Sequence, residues 1–189
     1  MQNFRLTMAR FWYHIAEMAY KNRYDKTGEA FASGDQAESS FESAITKAGL
    51  SCEKSSFQEE IRHIDYWIEG SKLPRTPVDV KARKKIKRAD DKYNDEVIWI
   101  EFANVQGKRG WLYGASSIIA FEREHDFLLV DRKLLARLCE KLCDLSQLNV
   151  DVRMPLYTGY QRRGRKDLLS LIKMTDIING IKHTILKKQ

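Results

Sequence analysis

Two aspartates and a lysine, Asp65, Asp79 and Lys81, have the types and spacing of a hydrolytic site. Asp79 and Lys81 are two positions apart in an apolar stretch that predicts a β-strand, so their side chains share one face and the intervening valines share the other. Asp65 belongs to the preceding predicted strand, which brings it near Asp79. Two carboxylates and an ammonium on one side of a small sheet suit a divalent cation and a water to be activated.

Hydrolysis of a phosphodiester is a reaction that these groups could catalyse. It requires an activated water and stabilisation of negative charge on the phosphorus oxygens, and divalent metal ions supply both. Mg²⁺ prefers oxygen ligands in an octahedron and keeps several waters. A nearby lysine can orient or deprotonate the water, or stabilise the charge of the transition state. The segment therefore predicts a site for Mg²⁺ or Mn²⁺.

Two further residues are candidates for the same site. His63 alternates with Asp65 and shares its face, where it could be a base or a ligand, although a structural role is commoner for a histidine beside an aromatic strand. Glu101 is an extra acidic group in a later predicted strand. The alternative for Asp65 and Asp79 is a surface role in ion pairs, and the alternative for Lys81 is the start of a solvated basic run.

The helix predicted before the sheet carries a further carboxylate. Asp35 is its expected N-cap, and Glu38, three residues later, fits a capping box. The apolar spacing predicts that this helix ends near Lys47. Glu38 therefore either completes the cap or reaches the site, and Glu42, one turn later, is an alternative for the functional role. An earlier helix is predicted over residues 4–22.

The remaining elements follow from apolar alternation and turn residues. Three strands in a meander are predicted at Ile61–Glu69, Pro77–Arg83 and Val97–Ala103. The later elements are a hairpin turn at 106–110, strands at Trp111–Tyr113, Ser117–Glu122 and Phe127–Val130, a helix from the N-cap Asp131 to about Leu145, and a helix over Leu168–Ile185. This order predicts an α/β or α+β fold with a mixed central sheet flanked by helices.

The charge of the chain permits a polyanionic partner, because its net charge is +7 and its pI is about 9.3. The basic residues form two clusters: Lys81, Arg83, Lys84, Lys85, Lys87 and Arg88, and then Arg162, Arg163, Arg165 and Lys166. The alternative is a solvated face, but a basic run beside carboxylates would hold a phosphate backbone next to a bound metal. Trp99, Trp111 and Tyr113 could stack on bases, although core packing is favoured.

The cysteines and the apolar segments predict a cytoplasmic protein without a membrane partner. Three cysteines, Cys52, Cys139 and Cys143, cannot all pair with one another, and the N-terminus is not a signal peptide. Cys139 and Cys143 would share a face of a helix, where two buried thiols are favoured over half of a metal site. No apolar run approaches the roughly 20 residues that span a bilayer.

The pattern resembles the PD-(D/E)xK nuclease superfamily, to which many restriction enzymes, resolvases and phage-type exonucleases belong. The matching pieces are Glu38 on the helix before the sheet, Asp65 in the first core strand and Asp79-Val80-Lys81 in the second. The resemblance spans residues 34–145, and Ile64 stands where the family has its name-giving proline. It implies a restriction-endonuclease-like core of a helix, a three-stranded meander, a helix and a further strand.

The resemblance also implies roles for individual residues. Asp65 and Asp79 would be metal ligands, the Val80 carbonyl would be a further ligand, and Lys81 would be the catalytic lysine. Glu38 would be a helix-borne ligand or would position the water, as in the resolvase-like members. The chain is expected to form a single nuclease-like domain over residues 1–189, with 1–30 as an N-terminal helical extension.

The function expected from these observations is metal-dependent hydrolysis of phosphodiester bonds, with DNA favoured and RNA left open. The small size suits a stand-alone viral or mobile-element nuclease, and endonuclease activity and a homodimer both agree with the resemblance. The alternatives are a nuclease-fold protein that binds nucleic acid without cutting it, and a protein that binds another macromolecule. Removal of the metal distinguishes the first alternative from a nuclease, because a protein that only binds nucleic acid would still bind it without metal.

Overall fold

A computed structural model describes residues 28–86, 90–150 and 154–188 of the chain. The predicted helix 4–22 lies outside these residues, as do two members of the first basic cluster, Lys87 and Arg88. The described residues form a mixed α/β fold with two mixed sheets and four α-helices. The predicted α/β class is therefore confirmed, although there are two sheets in place of one.

The helices are α1 (Glu29–Lys47), α2 (Phe57–Glu60), α3 (Arg132–Leu142) and α4 (Met174–Gly180). The strands are β1 (Ser51–Lys54), β2 (Tyr66–Gly70), β3 (Leu73–Lys81), β4 (Val97–Ala103), β5 (Ile118–Glu122), β6 (Asp126–Asp131), β7 (Asp144–Asn149), β8 (Thr158–Tyr160), β9 (Leu168–Lys173) and β10 (His183–Lys187). The first sheet has the order β1-β2-β3-β5-β6-β10, with only β3 and β5 parallel, and the second has the order β4-β9-β8-β7.

Helix α1 covers one face of the first sheet. Its apolar residues recur at helical spacing and are buried: Ala37, Phe41, Ala44 and Ile45. The ring of Phe41 lies 5.3 Å from that of Phe127 and 5.9 Å from that of Tyr66, measured between ring centroids. Val78 and Val80 belong to this core, so Asp79 and Lys81 face the other way, as their alternation predicts.

A second core lies on the opposite face of the first sheet, where the second sheet and α3 pack. Ile98, Ile100 and Phe102 contribute from β4, as the predicted alternation requires, and Ile119 and Phe121 from β5. Cys139 and Cys143 are buried in this core as free thiols, and burial raises the pKa of the Cys139 thiol. No helix in the described ranges is long and apolar enough to cross a membrane.

The prediction that Asp35 caps the start of α1 was wrong. The helix begins at Glu29 after Gly28, whose φ of 74° lies in the left-handed region. Asp35 is therefore inside the helix and cannot cap it. The good helix formers in residues 29–32 carry the helix over this extra turn and a half. The predicted end at Lys47 is confirmed, and Glu38 has no capping role.

The predicted meander was wrong in its membership, because β1, β2 and β3 are its strands and β4 belongs to the second sheet. The chain before β2 forms α2, where Ser56 and Glu59 make a capping box that the sequence prediction overlooked. Strand β3 begins at Leu73, earlier than predicted. Its first half lies outside the range paired with β5, and proline is tolerated at such an edge.

Later elements are partly as predicted. Strands β5 and β6 and the N-cap are confirmed, since the Asp131 carboxylate accepts a hydrogen bond from Leu134 N at 2.8 Å. Residues Trp111–Tyr113 form a 3₁₀ turn, which buries the adjacent side chains of Trp111 and Leu112 together. The predicted helix over Leu168–Ile185 was wrong, because this segment contains β9, α4 and β10.

Candidate active site

The pairing of β2 with β3 places Asp65 opposite Asp79. The predicted strand start at Ile61 was wrong, because β2 begins at Tyr66 and Asp65 is the residue just before it. Tyr66 pairs with Val78 in an antiparallel register, which brings Asp65 next to Asp79. The Asp65 amide donates to the Val78 carbonyl at 2.8 Å, and the Asp65 carboxylate accepts from the Val80 amide at 2.7 Å. Both the backbone and the side chain of Asp65 are therefore fixed against β3.

Asp79 is a buried carboxylate with one unsatisfied oxygen. Its exposed fraction is 1%, and Oδ1 accepts a hydrogen bond from the Lys81 ammonium. Oδ2 is buried and has no hydrogen-bond partner among the residues described. Burial raises the pKa of Asp79 well above its usual range, and the charge of Asp65 adds to that rise while Lys81 opposes it. Burial of Oδ2 without a donor is unfavourable, so a proton shared with Asp65, a water or a cation would each stabilise it.

Lys81 contacts both Asp79 and the 3₁₀ turn that begins at Trp111. Its ammonium forms an ion pair with Asp79, and Nζ lies 5.3 Å from the centroid of the Trp111 ring. Burial lowers the pKa of Lys81, but the charges of Asp79 and Asp65 outweigh burial and raise it. About a fifth of the side chain, 22%, remains exposed. Lys81 is thus a protonated group whose side chain is partly exposed.

Glu101 reaches the same place from β4. Its Oε1 accepts a hydrogen bond from the Trp111 amide at 3.4 Å, directly beside the ring on which Lys81 lies. Gly110 makes this approach possible, because a Cβ there would overlap the backbone of Glu101. Burial raises the pKa of Glu101, and the charges of Lys81 and Arg162 oppose the rise. The predicted extra acidic residue therefore lies beside the site.

Glu38 approaches the carboxylate pair from the opposite face of the first sheet. Its Oε2 lies 3.3 Å from Lys54 Nζ, and its pKa is raised first by burial and then by the charge of Asp65. Glu42 is exposed and accepts a hydrogen bond from the Tyr66 hydroxyl at 3.3 Å. Of the two glutamates that the sequence offered, Glu38 is the one electrostatically coupled to Asp65.

His63 lies in a turn before β2, so the predicted alternation with Asp65 along a strand was wrong, and its backbone is constrained. Its φ is 63°, in the left-handed region, and Gly114 packs against it, because a Cβ at Gly114 would lie 2.6 Å from the His63 Cβ. Its pKa is lowered to about 4, mainly by burial and then by the Lys81 charge, although Asp65 opposes the shift. The imidazole is therefore neutral at physiological pH and could accept a proton or a hydrogen bond.

We expect His63 to make the fold sensitive to mild acid. Its folded pKa is about 4 against an ordinary value of 6.5, so the unfolded chain binds the proton first and stability falls as the pH drops from about 6.5 to about 4. In the His63→Asn variant, which tolerates the left-handed conformation, this loss should be smaller by roughly 1–2 kcal/mol. Urea unfolding of both proteins at several pH values measures it, and equal pH slopes would contradict the assignment.

The basic residues separate into two groups. Some are held by carboxylates: Arg83 Nε lies 2.8 Å from Asp95, and Arg162 pairs with the fully buried Asp167. The others are wholly or partly exposed but also interact with other residues, as Lys85 does with the Tyr93 ring: Lys84, Lys85, Arg163 and Arg165. The structure thus gives Arg83 and Arg162 a role in holding their loops, which a sequence cluster does not reveal.

Two parts of the site were missed by the sequence prediction. The buried ring of Trp111 supports Lys81, and Gly110 allows Glu101 to reach the adjacent amide. The glycine pair that flanks the Trp111–Tyr113 turn was the available signal. Where the structure describes the chain, no group of three or more His, Cys, Asp or Glu residues is placed so that it could hold a metal ion. No family model, no curated protein and no solved structure matches the chain.

Proposed function

We propose that this protein is a divalent-metal-dependent nuclease that hydrolyses phosphodiester bonds, with DNA as its substrate. One observation carries the proposal. Antiparallel pairing of β2 and β3 sets Asp65 opposite Asp79, with Lys81 on the same face and the buried Asp79 Oδ2 lacking a hydrogen-bond partner among the described residues. With these groups a divalent ion could be bound and charge on a phosphate could be stabilised beside it.

The residues fit a hard divalent cation such as Mg²⁺ or Mn²⁺. Carboxylate oxygens are the ligands that such ions prefer, and Asp79 Oδ2 has one buried lone-pair site without a donor. Asp65 and Asp79 would hold the ion, with the Val80 carbonyl and Glu38 as the further ligands that the family resemblance implies. When bound, the ion supplies an activated water and neutralises charge on the phosphate.

The protein's own groups would position the substrate and stabilise charge. The Val80 amide fixes the Asp65 carboxylate in one orientation. Lys81, protonated and partly exposed, can donate a hydrogen bond to a phosphate oxygen or to the attacking water. The Lys81 ammonium lies beside the Trp111 ring, and the negative charge of Glu101 acts on it, so both groups favour one position of the ammonium.

The finer fold assignment belongs to the same proposal. Helix α1 and the meander β1–β3, followed by β5 parallel to β3, would be the helix, the three strands and the further strand of a restriction-endonuclease-like core. The crossover from β3 to β5 contains β4 and a 3₁₀ turn in place of the expected helix. The position of Glu38 on α1, beside Asp65, supports the resolvase-like variant of that core.

The test is cleavage of single-stranded, duplex and closed circular DNA in Mg²⁺, Mn²⁺ or EDTA. We expect cutting in the metals only, and loss of cutting in the Asp65→Asn variant, whose amide oxygen can still accept from Val80. Glu42→Gln is the matched control on the helix side, because Glu42 is exposed and should cut normally.

Two outcomes would count against the nuclease assignment. Cleavage in EDTA would point to a contaminating enzyme or to another mechanism. Metal-independent binding of DNA by a folded protein that cuts no substrate would leave the binding-only alternative. The ion pair between Lys81 and Asp79 is the observation that favours this alternative, because it occupies Asp79 Oδ1 with the protein's own cation.

A further inference from the structure

Two loops that are far apart in the sequence meet at one end of the second sheet and form a single basic surface. Strand β4 ends at Ala103 and pairs there with Leu168, where β9 begins, so the loops 104–109 and 161–167 are neighbours. The Lys166 amide donates to the Val105 carbonyl at 3.3 Å, and a Cβ on Gly107 would lie 3.3 Å from the Lys166 Cβ. We call these segments the basic loop pair.

The basic loop pair presents cations and almost no anions. Its exposed charged side chains are all positive: Lys108, Arg109, Arg163 and Lys166. The only acidic residue in either loop is Asp167, which is fully buried and paired with Arg162. The sequence clusters included Arg163 and Lys166, but Lys108 and Arg109 join them only through the fold. Such a concentration of positive charge is complementary to a phosphate backbone.

An aromatic pair continues this surface along the outer face of the second sheet. The rings of Trp99 and Tyr160 lie 5.6 Å apart and are both partly exposed. Trp99 alternates in β4 with the buried Ile98 and Ile100, so its ring faces away from the core between the sheets. Partly exposed aromatic rings beside cations are the features on which unpaired bases stack in proteins that bind single strands.

Glu101 joins this surface to the candidate active site. It lies two residues after Trp99 on the same face of β4, about 7 Å along the strand. Its carboxylate contacts the Trp111 amide beside Lys81, and the charges of Lys81 and Arg162 both act on it. Glu101 therefore links the aromatic pair to the edge of β4 that borders Lys81, which is the side from which a bound strand would approach the candidate site.

We propose that the basic loop pair and the Trp99–Tyr160 rings form a binding track for single-stranded DNA that leads to the active site. Phosphates contact the loop cations, and unpaired bases stack on the two rings. A duplex keeps its bases stacked on one another and cannot use the rings, so the track selects single strands. The inference rests on the proposed nuclease in two respects only: the choice of DNA as the ligand, and the identification of the group around Lys81 as the active site.

The test is binding without cleavage, measured in EDTA by the fluorescence anisotropy of a labelled oligothymidylate and of a duplex of equal length. We expect tighter binding of the single strand. Trp99→Ala and Tyr160→Ala should each weaken it by roughly 5- to 100-fold, whereas Trp99→Phe, which keeps a stacking ring, should bind nearly as tightly as wild type. Retention of binding in Trp99→Phe shows that loss in Trp99→Ala reflects the missing ring.

The salt dependence tests the cationic half of the track. The Lys108→Gln/Lys166→Gln double variant should lower the slope of log K against log salt by about 0.7 for each charge removed. Lys133→Gln/Lys141→Gln removes the same charge from exposed positions on α3 and should leave the slope unchanged. Equal affinity for duplex and single strand, or wild-type binding by the ring and loop variants, would overturn the proposal.

These results separate the track from the nuclease. If the track exists but the nuclease assignment fails, the oligothymidylate binds in EDTA and no substrate is cut in any metal. If the nuclease assignment holds but the track fails, DNA is cut in Mg²⁺ and the Trp99→Ala variant binds and cuts single strands as wild type does.

Discussion

Asp79→Asn is expected to reduce metal-dependent cleavage by about 10³-fold or more, while the protein stays folded. Asp79 is the carboxylate whose Oδ2 is buried without a hydrogen-bond partner among the described residues, so it is the ligand for which a cation compensates most. Loss of a metal ligand removes several kcal/mol of transition-state stabilisation. The amide oxygen of asparagine can still accept the hydrogen bond from Lys81. Cleavage rates with Mg²⁺ in excess, beside a thermal unfolding curve, measure both effects.

The same variant provides a readout that does not depend on activity. Mg²⁺ bound to the folded state should raise the melting temperature of the wild type, and the shift should disappear in Asp79→Asn. Glu69→Gln is the matched control, because Glu69 is an exposed carboxylate in the same sheet and should keep both the shift and the cleavage. An Asp79→Asn variant that cuts at the wild-type rate would remove Asp79 from the active site.

The central geometry of the candidate site could be predicted from local sequence. Alternation alone places Asp79 and Lys81 on one face and the flanking valines on the other, and both statements are confirmed. The hairpin between β2 and β3 is short, so the proximity of Asp65 to Asp79 followed from few assumptions. The Trp111 contact with Lys81 was not predictable, because it joins a strand to a 3₁₀ turn 30 residues later in the sequence.

The second sheet explains most of the errors in the fold. Strand β4 was predicted with correct bounds but with the wrong neighbouring strand. Its true partner, β9, is apolar on both faces, and the spacing of apolar residues in β9 resembles that of a buried helix. Once Leu168–Lys173 is assigned as a strand, β4 pairs with it and leaves the meander. The vacant place is filled by β1, whose short polar sequence carries little strand signal.

The Lys81→Met variant is expected to cleave about 10²- to 10⁴-fold more slowly than wild type. The stability of its fold is also expected to depend strongly on pH. Lys81 is the hydrogen-bond donor to the buried Asp79 carboxylate. Removing one partner of a buried ion pair costs roughly 3–5 kcal/mol when the other charge remains. At neutral pH the variant should therefore be much less stable than wild type, as urea unfolding would show.

The sign of the pH dependence follows from the direction of the Asp79 shift. Burial and the Asp65 charge raise the pKa of Asp79, and the variant lacks the Lys81 charge that opposes them. The folded variant therefore binds a proton that the unfolded chain has already released, so its stability falls as the pH rises through the Asp79 pKa and is regained in acid. The pKa of His63 should also rise in the variant, because the Lys81 charge that lowers it is gone, so the variant loses less stability in acid through His63 than wild type does.

A double variant separates stability from catalysis. In Asp79→Asn/Lys81→Met the buried site carries neither charge, so most of the stability lost in Lys81→Met at neutral pH should return while cleavage stays absent. The cost of Lys81→Met would then come from the uncompensated charge of Asp79. If the double variant is as unstable as Lys81→Met, the lysine stabilises the fold mainly through its packing on Trp111, and the Asp79 charge is held by another group.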